Sequence, residues 1–336
     1  MDKHTPSLEF SHLPVMLDEV IKISSPIKGG TFIDCTFGGG GYSKELLRFS
    51  KTKVKGLDRD NKVKEIGKKL EKNFPQRFKF YQTKFSQLDT VVKDLVDVVI
   101  FDLGLSSIQL NDMKRGFSFK SNESLDMSMG LNKISAQDVI NNLSELELKL
   151  IIKVFGEEKE AARIAKNIVK FRIEKKITKV KDLVNIITKS KKKNYANKIN
   201  PCTKTFQALR IFVNKEITEL INGIINATKI LKPGGKILIV SFHSIEDKIV
   251  KYFFSNFSTN KSKPSRYLPD QDHSSNALFT DYKNKFLKPT KKEIDRNSRS
   301  RSAKLRYAIR SKNKFSHPDE LIKRYKIYLD LEAIHV

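Results

Sequence analysis

Apolar residues in the first hundred positions fall in short runs that stop abruptly on an acid, and the stretches between them repeat apolar positions at helical spacing. Thr31-Phe32-Ile33-Asp34-Cys35-Thr36 is a β-prone run that flows into Phe37-Gly38-Gly39-Gly40-Gly41-Tyr42-Ser43 and then a helix from about Lys44. Val54-Lys55-Gly56-Leu57-Asp58-Arg59-Asp60 is a second strand, followed by a Lys-rich amphipathic helix through Leu70. Phe78-Lys79-Phe80-Tyr81-Gln82 is a third, and Val98-Val99-Ile100-Phe101-Asp102 a fourth. Strands alternating with helices in this way predict a parallel, doubly wound α/β sheet.

The period then changes. From about Ser106 to Pro201 the pattern is helical: Ser135 with Asp138 and Ser144 with Glu147 predict capping boxes, and Gly156 a helix end. Ala161, Ile164, Ala165 and Ile168 form a stripe at helical spacing that belongs in a core. A long helix follows from about Thr205. Only then do Leu231-Lys232-Pro233-Gly234-Gly235-Lys236-Ile237-Leu238-Ile239-Val240-Ser241-Phe242-His243 predict a helix stop, a turn and a fifth buried strand. The expected organisation is a sheet domain in two parts, residues 1–110 and 204–310, with an all-helical insert at 111–203 between strands four and five. A mobile loop is expected at about 255–285, and residues 311–336 form a basic, partly helical extension.

The strand ends carry the candidate chemistry. In an open α/β sheet, ligands sit in the crevice beyond the carboxyl ends of the strands, so Asp102 stands where a reacting group would be. Asp58 lies 18 residues after Gly40, and an acid roughly 20 residues beyond a glycine loop accepts hydrogen bonds from ribose hydroxyls. The loop is a poor dinucleotide fingerprint, because Ser43 occupies the third glycine place, and it lacks the Gly-Lys-Ser/Thr of a phosphate-binding loop. Four glycines admit close backbone approach to the methionine moiety of S-adenosylmethionine or to a pyrophosphate alike.

Charge narrows the partner. The 336-residue chain carries a formal net charge of +27. Between Lys159 and Lys215 there are 17 Lys or Arg against 3 acids, and between Lys291 and Phe315 ten against two. Imbalance on this scale implies a polyanion, because neutralising phosphates releases counterions, and the basic insert is the natural place for nucleic acid to dock. Cys35 and Cys202 sit in no metal-ligand or disulfide pattern, so no metal is expected. The N-terminus carries no secretory signal, and no apolar run approaches the roughly 18 residues of a membrane span, so the expected location is cytoplasmic, away from membranes.

Longer words in the chain carry a resemblance. His12-Leu13-Pro14-Val15-Met16-Leu17-Asp18-Glu19-Val20, Asp34-Cys35-Thr36-Phe37-Gly38, Asp102-Leu103-Gly104-Leu105-Ser106-Ser107, Arg115-Gly116-Phe117-Ser118-Phe119 and Leu125-Asp126-Met127 closely resemble the bacterial ribosomal RNA small subunit methyltransferase H family. So do Gly156-Glu157-Glu158, Thr205-Phe206-Gln207-Ala208-Leu209-Arg210-Ile211 and Ser241-Phe242-His243-Ser244-Ile245-Glu246-Asp247. The resemblance runs from about His12 to Arg310. It implies a Rossmann-like class I methyltransferase sheet that uses S-adenosylmethionine to methylate the exocyclic N4 of a cytidine in the decoding (P-site) region of 16S rRNA. The implied partner is 16S rRNA within the 30S subunit or a late precursor, with no obligatory protein partner evident. Gly40, Gly41 and Tyr42 match the family's cofactor loop, Asp58 its ribose-binding acid, and Phe85, Asp102 and Gln109 its remaining cofactor contacts. Tyr42 departs from the histidine of most relatives, Asn200-Pro201-Cys202-Thr203-Lys204 from His-Pro-Ala-Thr-Arg, and Asn297-Ser298-Arg299-Ser300-Arg301-Ser302 from Asn-Pro-Arg-Ala-Arg-Ser.

The N4 lone pair of cytosine is delocalised into its ring, so the amine needs an acceptor for its protons and a well-aligned methyl donor. Orientation alone supplies on the order of 7 to 11 kcal/mol of barrier lowering. The catalytic candidates are Asp102, Ser106 and His243: Asp102 and the Ser106-Ser107 loop would accept from the amine or hold the cofactor's amino group. Ser241, Phe242 and His243 would face the flipped base, with Phe242 stacking on it. His243 has a second reading as the cap of the following helix. Phe117 and Phe119 are read as core ahead of base contacts, and Lys191, Lys192 and Lys193 as phosphate contacts. Two rival classes remain: a non-catalytic RNA-binding protein on the same scaffold, against which the intact acids 58 and 102 argue, and a nicotinamide oxidoreductase, against which Ser43 and the charge argue.

Overall fold

The computed structural model describes residues 14–191, 200–260, 277–280 and 282–336. His12, Leu13, Lys192, Lys193 and most of the expected loop at 255–285 lie outside the described residues. Six strands form one sheet: β1 Gly30–Asp34, β2 Thr52–Asp58, β3 Phe78–Gln82, β4 Val96–Asp102, β5 Leu231–Ser241 and β6 Lys304–Ile309. Their order is β3-β2-β1-β4-β5-β6. β1 to β5 are parallel, and β6 returns antiparallel to β5. The helices are α1 Leu17–Ser24, α2 Gly41–Leu47, α3 Lys64–Asn73, α4 Leu88–Val91, α5 Ser107–Asn111, α6 Ala136–Asn142, α7 Glu145–Gly156, α8 Ala161–Glu174, α9 Val180–Ser190, α10 Thr203–Asn214, α11 Glu216–Ile230, α12 Ser244–Asn256, α13 Lys291–Arg296, α14 Asp319–Arg324 and α15 Lys326–Glu332. No helix among the described residues is long and apolar enough to cross a membrane.

The chain forms two compact units, residues 1–104 with 220–324 and residues 105–219 with 325–336. The first holds the sheet. Val98, Val99, Ile100 and Phe101 are all buried, as consecutive residues must be in a parallel strand covered on both faces. β6 is absent from the sequence expectation because Lys304-Leu305-Arg306-Tyr307 reads as part of a cationic run. Arg306 is nevertheless buried, its Nε donating to Asp247 Oδ1 at 2.7 Å while Lys304 Nζ donates to Oδ2 at 2.9 Å. Behind them Phe253, Phe254 and Phe279 pack with both Phe279 ring distances at 5.2 Å.

The second unit is helical. Both expected capping boxes are present, at Ser135 and Ser144, and the stripe Ala161, Ile164, Ala165, Ile168 is buried. α7 packs against α8, α10 and α15. The single long helix expected from Thr205 is two helices: Lys215 takes left-handed dihedrals (φ 49°) between α10 and α11. Beside this break, Asn214 is buried and holds Met127 O, Met129 N and Asn132 Nδ2, each at 2.8 Å. The orphan amides of Ile217 and Thr218 at the start of α11 donate to the Glu332 carboxylate at 2.9 and 2.7 Å, the satisfaction that a helix N-terminus requires. The expected segments end at 110, 203 and 310, whereas the compact units change at 104, 219 and 324. The last twelve residues thus pack with the helices while 311–324 pack with the sheet.

Candidate active site

β1 and β4 are neighbours from which the chain winds outward in opposite directions, so the crevice at their carboxyl ends is the switch point of the sheet. Asp34 ends β1 and Asp102 ends β4. The two ends are laced together: Cys35 N donates to Ile100 O at 2.9 Å, and Asp102 N donates to Thr36 Oγ1 at 2.8 Å. Asp34 is fully buried and accepts from Ser43 Oγ at 2.7 Å and Thr36 N at 3.3 Å. Burial outweighs those bonds and pushes its carboxyl up to about 6. Asp102 Oδ1 is shut away from solvent with no hydrogen-bond partner. Burial, and then the charges of Asp34, Glu246 and Glu293, hold the Asp102 carboxyl well above the usual carboxylate range. Among the described residues no side chain partners Asp102 Oδ1, an arrangement that is costly unless a ligand completes it.

The glycine loop closes one side. Gly38 and Gly40 have left-handed dihedrals, φ 50° and 77°, and a Cβ on Gly40 would stand 2.8 Å from the Phe37 ring. Gly38 N donates to Asp58 Oδ2 at 2.8 Å and Asp60 N to Oδ1 at 2.8 Å. The acid singled out for a ribose therefore also pins the loop, and its burial raises its carboxyl. Gly41 lies against Pro14, and the buried Tyr42 hydroxyl donates to Val15 O. Glu293 Oε1 accepts from Met16 N at 2.7 Å, so the Pro14–Met16 segment is held from both sides. Phe85 stacks edge-on to Phe101 at 5.4 Å under Gly223.

At the next strand end, Phe242 packs over Gly104, whose φ of 115° favours glycine and where a Cβ would meet that ring at 3.1 Å. His243 is the N-cap of α12: its ring accepts from Glu246 N while Glu246 Oε2 accepts from the backbone amides of Phe242 and His243 at 2.8 and 3.3 Å. His243 Nε2 faces Glu246 Oε1 at 3.1 Å without a well-aligned hydrogen bond. Gly40, Gly41, Tyr42, Asp58, Phe85, Asp102 and His243 all belong to the sheet unit. Ser106 and Gln109 belong to the helical unit, where they form a capping box on α5: Ser106 N donates to Gln109 Oε1 at 3.0 Å and Gln109 N to Ser106 Oγ at 3.2 Å. There too Phe117 is buried beneath the Arg115 guanidinium at 5.2 Å, and Phe119 meets Phe206 edge-on at 6.1 Å.

Three acids of the cluster, Asp34, Glu246 and Glu293, were not singled out from sequence. Asp34 offered the same signal as Asp58 and Asp102, an acid closing an apolar run. Glu293 offered none, since only the fold brings residue 293 to Met16.

Comparison with known proteins places these features in a family. A model of the MraW methylase family matches residues 9–311. The chain belongs to the MraW methylase family. Among curated proteins, ribosomal RNA small subunit methyltransferase H of Bartonella bacilliformis is 43% identical over 300 residues, covering 89% of this chain and 90% of its own length. The protein of the same name from Brucella anthropi is 40% identical over 311 residues, covering 91% and 89%. A solved rRNA methylase from Streptococcus thermophilus covers 90% of this chain and 100% of its own at 10% identity and a TM-score of 0.39, too slight a likeness to add to the strand order. The matched span takes in the glycine loop, the strand-end acids and β6, whereas α14 and α15 lie beyond it.

Proposed function

We propose that the protein uses S-adenosylmethionine to methylate ribosomal RNA, and that its target is the exocyclic N4 of a cytidine in the decoding (P-site) region of 16S rRNA, in the 30S subunit or a late precursor of it, in the cytoplasm. The observation that carries the reading is the orphaned Asp102 Oδ1 at the switch point of a methylase-family sheet. S-adenosylmethionine, when bound, supplies an electrophilic methyl group on a cationic sulfonium. The residues present fit that group: several acids around an Asp102 Oδ1 that has no partner favour a cation, and the backbone of Gly38 to Gly41 admits close approach. Asp58 would hold the ribose and Asp102 the amino end, with Gly40, Gly41, Tyr42, Phe85 and Gln109 as the further contacts.

Methyl transfer to N4 forms a C–N bond, breaks the sulfonium C–S bond and leaves a proton to be removed from the nitrogen. In this reading Asp102 accepts it as the carboxylate, the ionised form that a cationic sulfonium beside it would favour against the burial that raises the carboxyl. Phe242 stacks on the base, and Ser106 and His243 are the remaining polar groups to be tested; His243 acts through its cap on α12. The test is transfer of labelled methyl to small subunits that lack the modification, with the product nucleoside identified by mass spectrometry. The wild type is expected to yield N4-methylcytidine and Asp102→Ala none. A different methylated nucleoside overturns the target, and absence of both transfer and S-adenosylmethionine binding overturns the enzyme reading.

A further inference from the structure

The sequence assigns nucleic acid to the basic insert, yet the structure gives the other cationic cluster a defined shape beside the strand-end acids. Leu287 and Leu305 exchange backbone hydrogen bonds of 2.9 and 3.0 Å, which lays the chain around Phe286 along β6 at the edge of the sheet. Lys304 Nζ and the Arg306 guanidinium each stand 5.1 Å from the Phe286 ring centre, and Lys288 Nζ at 5.7 Å. α13 follows, capped by Thr290, and then a tight turn in which buried Ser300 donates to Asn297 O at 2.8 Å. This backbone presents Lys291, Lys292, Arg296 and Arg301 to solvent. None of these four has a carboxylate within ion-pair distance among the described residues, in contrast to Lys304 and Arg306, which share Asp247.

The position of this surface is fixed by Glu293. On the same helix as Lys291, Lys292 and Arg296, it bonds Met16 N, and its charge acts on both Asp102 and Tyr42. The helix that carries the exposed cations is therefore tied, within a single unit, to the Pro14–Met16 segment that lies against the glycine loop of the strand-end site. A phosphodiester strand approaching that site meets like-charge repulsion from its acids, and the cations of this helix offset it. We propose that α13 and the turn after it are a docking face for the phosphate backbone of the RNA, holding the strand beside the strand-end site; the identity of the polyanion as the methylated RNA rests on the function proposed above. Such contacts position a strand without reading its sequence.

The experiment compares the wild type with a Lys291→Gln, Lys292→Gln, Arg296→Gln, Arg301→Gln variant, measuring Kd for transcribed 16S rRNA over a range of KCl concentrations. Each lost phosphate contact removes about 0.7 to 0.9 from the slope of log affinity against log salt, so the variant's slope is expected to fall by about 3 and its Kd at moderate salt to rise at least about tenfold. S-adenosylmethionine binding should be retained, which shows that the fold is intact. An unchanged slope in a variant that still binds S-adenosylmethionine overturns the docking face, as does loss of the whole slope in an Arg163→Gln, Lys166→Gln, Lys170→Gln variant of α8 alone. Methyl transfer by the wild type is scored separately: its failure sinks the proposed reaction, while a reduced slope in the α13 variant still upholds the docking face.

Discussion

Two acids of the sheet unit show opposite ways of keeping a carboxylate oxygen out of water. Asp247, at the start of α12, is buried with Arg306 and Lys304, and their hydrogen bonds hold its carboxyl below the usual range against the opposing effect of burial. Asp102, at the end of β4, has no such cation and is pushed up. The first arrangement is complete and structural. The second lacks a charge, and a crevice lacking positive charge at a sheet's switch point is one prepared for a cationic ligand.

The contrast breaks hardest at Asp247. Asp247→Ala strands a buried guanidinium, and denaturant unfolding should report a loss of about 3 to 5 kcal/mol. Asp102→Asn should do the reverse: its melting temperature should rise at neutral pH, while methyl transfer falls on the order of 10²- to 10³-fold, about 3 to 4 kcal/mol of barrier. Lower activity together with lower stability would make Asp102 a structural acid like Asp247.

The same contrast sets a pH dependence. Asp34, raised to about 6, and Glu332, raised to about 7, are both protonated more readily in the folded chain than in the unfolded one. Their contribution to stability is fully present below the unfolded values near 4 and is lost as pH rises through 6 to 7. Melting temperature should therefore climb as pH drops from 7.5 to about 5, and Asp34→Asn and Glu332→Gln together should flatten the climb; an unaltered curve would mean that other groups produce it. The smallest effect belongs to the helical unit, where Ser144→Ala removes a surface capping box and should cost about 1 kcal/mol in thermal or chemical unfolding without touching transfer.

How much of this was legible in sequence depended on how local the cause was. The five parallel strands and both capping boxes are written in neighbouring residues, and they stand close to where the pattern put them. β6 was illegible because the partner that lets Arg306 be buried lies 59 positions away. The break at Lys215 was illegible for the same reason: Asn214 turns to a loop more than 80 residues upstream, and the amides beyond the break are satisfied by Glu332. At the site, Asp58 and Asp102 could be singled out because each closes an apolar run, but the lacing of Gly38 to Asp58 and of Met16 to Glu293 exists only once the sheet has formed. His243, readable from sequence as either a reacting group or a cap, is seen capping α12.

The bond between Glu332 and the start of α11 also has a temporal meaning. Thr218 waits for a carboxylate made 114 residues later, and β4 waits for β5 across the whole helical segment. Neither unit can close in the order in which the chain leaves the ribosome. The helices of the insert can pair as they emerge, but their completion waits for Glu332 and that of the sheet for β5 and β6, and until then the nascent chain exposes apolar faces prone to aggregation.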